Sequence, residues 1–131
     1  MIVVDASVLI AHLDERDAQH AEAEAVLLDA AEQPLAASPL TIAEVLVGPA
    51  RQDRLEVAVD AFGQLELQEI PLPADAAARL ALLRASTSLK LPDCCVLLAA
   101  QDGHAEAILT FDDRLGREAA RLGYGSSGTA T

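Results

Sequence analysis

Tryptophan is absent, and the aromatic set is one Tyr and two Phe in 131 residues. Proteins that hold single-stranded bases without sequence preference stack them on aromatic side chains, so this chain has no platform of that kind. Positive charge is also scarce, with nine Lys and Arg against 21 Asp and Glu and a formal charge of −12. A field of that sign repels polyanions and excludes a basic, indiscriminate nucleic-acid binder. One exception remains, a local carboxylate cluster neutralised by metal ions, with a few arginines on the phosphates. Cysteine is limited to the adjacent Cys94 and Cys95, which form neither a disulfide framework nor CxxC metal spacing. On a helix such neighbours point about 100° apart, as small buried residues do. Long apolar runs are missing too. The N-terminal "MIVVDASVLIAHL" is interrupted by Asp5 and Ser7 and has no basic leader, so a signal peptide or membrane span is not expected and the chain reads as cytoplasmic.

What is present is ample for a core. Apolar residues make up 52% of the chain, and its length suits one domain. Met1 to Val4 reads as a short buried strand, followed by helical spacing from Ala6 to Leu13. A helix is expected over 17–31, a strand over 34–38, and a helix opened by Ser38 as cap and Pro39 in its first turn. Gly48 and Pro49 are expected to end or kink that helix. Beyond it lie a helix over 51–64, a strand over 65–72, a helix over 73–88, one begun by Pro92, a strand to Thr110, and a last helix. Strands alternating with helices predict an α/β fold, a three-layer α/β/α domain with a central, mainly parallel sheet of four to five strands. The domain is expected over 1–124 and a flexible tail over 125–131, with Tyr124 as a candidate start of an edge strand.

Four acids stand in contexts that a solvated face does not explain. Asp5 ends the first strand, where ligands collect in parallel sheets. Glu44 lies among apolar residues in "TIAEVLV", too far past Ser38 for a capping box. Asp93 follows Pro92 in a first helical turn, and Asp112 follows "ILTF" beyond the last strand. Taken singly, Asp5 and Asp112 are also explained as caps and Asp93 by the helix dipole. Four carboxylates converging in one cleft repel and raise one another's pKa values unless cations enter. Hard ions such as Mg²⁺, or Mn²⁺ in its place, take oxygen ligands and keep several waters. Held by carboxylates, such ions activate water and stabilise the leaving oxygen in phosphodiester hydrolysis.

The segments "VVDASVLIAHL", "SPLTIAEVLVG", "LKLPDCCVLLAA" and "ILTFDDRL" resemble, in order and spacing, the four acidic motifs of the PIN domain, over residues 1 to about 122. Among PIN proteins the chain is similar to VapC toxins of type II toxin–antitoxin systems. That resemblance implies an Mg²⁺-dependent endoribonuclease cutting transfer, ribosomal or messenger RNA, a dimer, held inactive by a VapB-type antitoxin. It implies that Asp5, Glu44, Asp93 and Asp112 form the catalytic, metal-binding set, Asp5 and Asp93 as direct ligands and the other two through water or by positioning the nucleophile. Ser7 and Thr110 match hydroxyl residues that support the acids, and Asp113 is left as a cap or auxiliary acid. The cysteine pair after Asp93 departs from the Ala–Xaa pair commoner in the family.

Arg51, Arg54, Arg84 and Lys90 are candidate phosphate contacts, equally well read as surface cations. His12 lies on the helical face of Asp5, while His20 and His104 fall in the acidic helix and a turn. Two other functions stay open: a PIN-like nuclease in RNA maturation or DNA processing without an antitoxin, and a noncatalytic metal-binding α/β module. The latter, if receiver-like, calls for a lysine after a late strand, and Lys90 precedes a helix.

Overall fold

A computed structural model of the chain describes residues 1–126. The apolar N-terminal run enters as β1, Ile2–Val4, and lies at the centre of a four-stranded sheet. On one side β1 pairs with β2, Leu35–Ala37, and on the other with β4, Ala107–Leu109, while β3, Gln68–Glu69, extends the edge beyond β2. Every pairing is parallel, with Val3 facing Ala36 on one neighbour and Ile108 on the other.

Parallel strands need crossovers, and seven helices are described: α1 Ala6–Leu13, α2 His20–Asp29, α3 Pro39–Arg51, α4 Leu55–Gln64, α5 Ala76–Ser86, α6 Leu91–Asp102 and α7 Asp113–Arg121. The two-residue period of the strands divides the interior. Ile2, Val4 and Leu109 face a core with α1, α2, Val45 of α3 and Phe62 of α4. Val3 and Ile108 face a second core built by α6 and by Leu115 and Ala119 of α7, with Leu80 and Leu83 of α5 packed against it. The result is the expected α/β/α sandwich, its sheet wholly parallel. Cys94 and Cys95 are buried, unpaired core residues of α6, whose side chains are buried from Cys94 through Ala100.

Some boundaries moved for local reasons. Helix α3 runs through Gly48 and Pro49 to Arg51. Its last turn is completed from beyond, where the Gln52 amide donates to the Gly48 carbonyl and the Arg54 amide to that of Pro49. The third strand is two exposed residues rather than the alternating run 65–72, because Leu65 and Leu67 pack from the turn that precedes it. Gly125, the first residue of the expected tail, pairs in parallel with Ala107, and Ile108 donates to its carbonyl at 2.9 Å. Residues 127–131 of that tail lie outside the described residues. Among the described residues no helix is long and apolar enough to cross a membrane.

Candidate active site

The carboxyl ends of β1 and its neighbour β4 supply the site. The Asp5 amide donates to the Leu109 carbonyl at 2.9 Å, extending the β1–β4 ladder by one step and turning the Asp5 side chain out beyond it. Asp5 is only 7% exposed, so each carboxylate oxygen needs a partner. Oδ1 accepts from the Ala6 amide at 2.7 Å, and Oδ2 accepts from Ser7 Oγ at 2.9 Å and Thr110 Oγ1 at 2.7 Å. The cap reading and the functional one coexist here, since the bond to Ala6 opens α1 while two hydroxyls set the carboxylate's orientation.

The same hydroxyls carry the network to the last motif. Ser7 Oγ accepts from the Phe111 amide and Thr110 Oγ1 from the Asp112 amide, both at 3.0 Å. Asp112 is the N-cap of α7, its Oδ1 accepting from the Leu115 amide at 3.0 Å. Of the two acids that could cap, Asp112 does so, and Asp113 is the first helical residue. The reason is the hydroxyl of Thr110, which holds the Asp112 backbone extended at the capping position, while Oδ2 receives no hydrogen bond among the described residues.

Glu44 and Asp93 arrive differently. Ser38 caps α3 and Pro39 occupies its first turn, and Glu44 lies on the exposed side of that helix, which packs against α1 and α6. Asp93 sits half-buried in the first turn of α6, after Pro92. Neither carboxylate receives a hydrogen bond from the described residues, and both are perturbed. Burial and then the charges of Asp5, Asp112 and Glu44 push Asp93 up to about 6, against the opposing pull of Lys90. Glu44 is raised by burial and by Asp5. The four acids therefore share one field.

A cleft of about 440 Å³ opens on this end of the sheet and includes Asp93 and Asp112, but not Asp5 or Glu44, among its lining residues. Among the described residues no three His, Cys, Asp or Glu side chains stand close enough to hold one ion between them. The donor set nevertheless fits a hard divalent cation. It is all oxygen, it carries mutual repulsion that a cation relieves, and such ions use one or two carboxylates, completing their shell with water and phosphate.

The cleft also contains what the sequence reading missed. Arg114 and Arg117 line it together with Lys90. Two cations three residues apart, the first just after Asp112 and Asp113, were the available signal. Of the cations singled out earlier, Arg84 donates to the Leu89 carbonyl at 2.8 Å, and Arg51 and Arg54 lie at the α3–α4 corner, outside the cleft lining. The histidines serve elsewhere. His12 pairs with Glu24, His20 Nδ1 donates to the Ala11 carbonyl at 2.7 Å, and His104 occupies a left-handed turn at φ 51°.

An α/β/α domain with carboxylates gathered over the ends of parallel strands defines the class of this protein. The chain belongs to the PIN domain family, whose family model matches residues 2–120. A toxin–antitoxin complex from Klebsiella pneumoniae superposes with a TM-score of 0.69 at 27% identity, covering 86% of this chain and 87% of that one. Mycobacterium tuberculosis VapC20, described as a toxin that cleaves the sarcin–ricin loop, matches at 0.71 and 17%, covering 90% and 95%. The Rickettsia felis VapBC2 complex, bound to a promoter DNA fragment, matches at 0.72 and 15%, covering 96% and 98%. No curated protein matches the chain.

Proposed function

We propose that the protein is the toxin of a type II toxin–antitoxin pair, a divalent-metal-dependent endoribonuclease acting in the cytoplasm. The observation that carries this reading is the convergence of Asp5, Glu44, Asp93 and Asp112 on one field at the carboxyl ends of β1 and β4. Asp5 and Asp93 would hold Mg²⁺, or Mn²⁺ in its place, with Glu44 and Asp112 acting through water. The ion would supply Lewis acidity and an activated water for phosphodiester hydrolysis. Ser7 and Thr110 donate to Asp5 and keep it aimed, and Asp112 anchors the rim through the α7 cap. The half-burial of Asp93 excludes part of the solvent and strengthens every charge interaction there.

The structural likeness to toxin–antitoxin complexes supports a VapB-type antitoxin as partner. Exposed apolar residues Ile10, Leu40, Val47, Leu55 and Val59 offer surface for that partner and for a second copy in a homodimer. The test is to incubate the purified protein, freed of any partner, with total RNA and Mg²⁺ or Mn²⁺, beside EDTA and Asp93→Asn controls. Fragments that require both the ion and Asp93 are expected. Equal cleavage by Asp93→Asn contradicts the site, and intact RNA throughout contradicts the activity.

A further inference from the structure

The nine cations are unevenly used. Arg16, Arg79 and Arg121 pair with carboxylates, and Arg84 is taken by a carbonyl. Of the five with no ion-pair or hydrogen-bond partner among the described residues, three line the cleft that contains Asp93 and Asp112. Lys90 comes from the start of α6, and Arg114 and Arg117 come from one face of α7, three residues apart. Unpaired arginines beside one another repel, and the −12 chain has carboxylates enough to partner them. Their concentration at one opening, with no hydrogen bond or ion pair engaging them among the described residues, leaves three cations available to an anion.

We propose that Lys90, Arg114 and Arg117 form a phosphate-binding wall that holds the substrate's backbone at phosphates flanking the one to be cut; this rests on the nuclease reading above. Three cations against Asp93, Asp112 and Asp113 make the cleft formally neutral in a strongly acidic molecule, and a divalent ion on the acids turns it positive. The strand is thereby admitted only where the acids are loaded. Arginine forks bind phosphate oxygens bidentately, and the wall contacts backbone rather than bases, so it favours no sequence. The three are positioning residues, raising occupancy of the site without touching the reacting atoms.

The test measures binding of a fluorescein-labelled, mixed-sequence RNA dodecamer with Ca²⁺ in place of Mg²⁺, across a salt series. Arg114→Ala/Arg117→Ala is expected to weaken binding about tenfold or more and to flatten the log–log salt slope by about 1.4, near 0.7 per lost contact. Its melting temperature is expected to match the parent's, because both side chains are exposed. Arg51→Ala/Arg54→Ala is expected to bind as the parent does. Equal losses in both pairs, no loss in either, or polyglutamate binding as tightly as RNA overturns the wall. If RNA binds through the wall yet total RNA stays intact with Mg²⁺ and Mn²⁺, the nuclease reading falls and the wall stands. If Arg114→Ala/Arg117→Ala cleaves total RNA with the parent's KM, the wall falls and the nuclease reading stands.

Discussion

The two pairs of acids are held by opposite means. Asp5 and Asp112 are tied together by hydroxyls and backbone amides, from Ala6 and Ser7 across to Thr110 and Leu115. Glu44 and Asp93 receive no hydrogen bond from the described residues and are raised by burial and by their neighbours' charge. One pair is preorganised and the other is held in electrostatic strain. The difference teaches what an ion would do on each side. On the tied side it would meet a finished ligand, and on the strained side it would relieve a repulsion that folding alone leaves in place.

Breaking the tied side is expected to have the largest effect. Asp5→Asn keeps the hydroxyl acceptor at one oxygen but loses the charge, and metal-dependent RNA cleavage is expected to fall by more than the roughly 10–100-fold typical of residues that only support a ligand. Circular dichroism should show the fold retained; an unfolded variant would mean that Asp5 serves α1 and the ladder alone. Thr110→Val removes the hydroxyl that donates to Asp5 and accepts from the Asp112 amide. A roughly 10–100-fold loss of metal affinity by calorimetry and a destabilisation of about 1–3 kcal/mol in urea are expected.

Changing the strained side should stabilise the metal-free protein. Asp93 titrates near 6 in the folded state against 3.8 for the unperturbed group. The folded state thus binds more protons between those values, and stability falls as pH rises through that window. Asp93→Asn removes this penalty, so its gain should be absent below about pH 4 and full above about pH 6. For this half-buried group, screened by solvent, the gain is on the order of 1 kcal/mol, visible as a melting temperature several degrees higher in EDTA at pH 7. The smallest effect is expected at Asp113→Asn, a few tenths of a kcal/mol from the α7 dipole, read by the same melt. A loss of more than about 1 kcal/mol there would contradict a role confined to the dipole.

The tied half was the more legible from sequence. A β-branched run ending in an acid and a threonine two before another acid are local patterns, and the parallel pairing of β1 with β4 brings them together. The resemblance named the hydroxyls at Ser7 and Thr110, but their double role as donor to Asp5 and acceptor from a distant amide needs the register of β1 against β4. Glu44 was visible as an acid among apolar residues, though not its exposure, which depends on how α3 rests on α1 and α6. Arg114 and Arg117 were overlooked because their spacing after Asp112 becomes a signal only once α7 is placed at the cleft rim. The α3 terminus misled for a related reason: Gly48 and Pro49 signal an end, but turns from Gln52 to Arg54 supply the donors that let the helix finish later.

The central claim is that the tied and strained acids become one site when a divalent ion enters, and calorimetric titration of Mn²⁺ into the metal-free protein at pH 7 tests it most directly. The account predicts that Asp5→Asn and Asp93→Asn each lose at least about tenfold in affinity, from opposite sides of the cleft. Binding that is unchanged in either variant would contradict it.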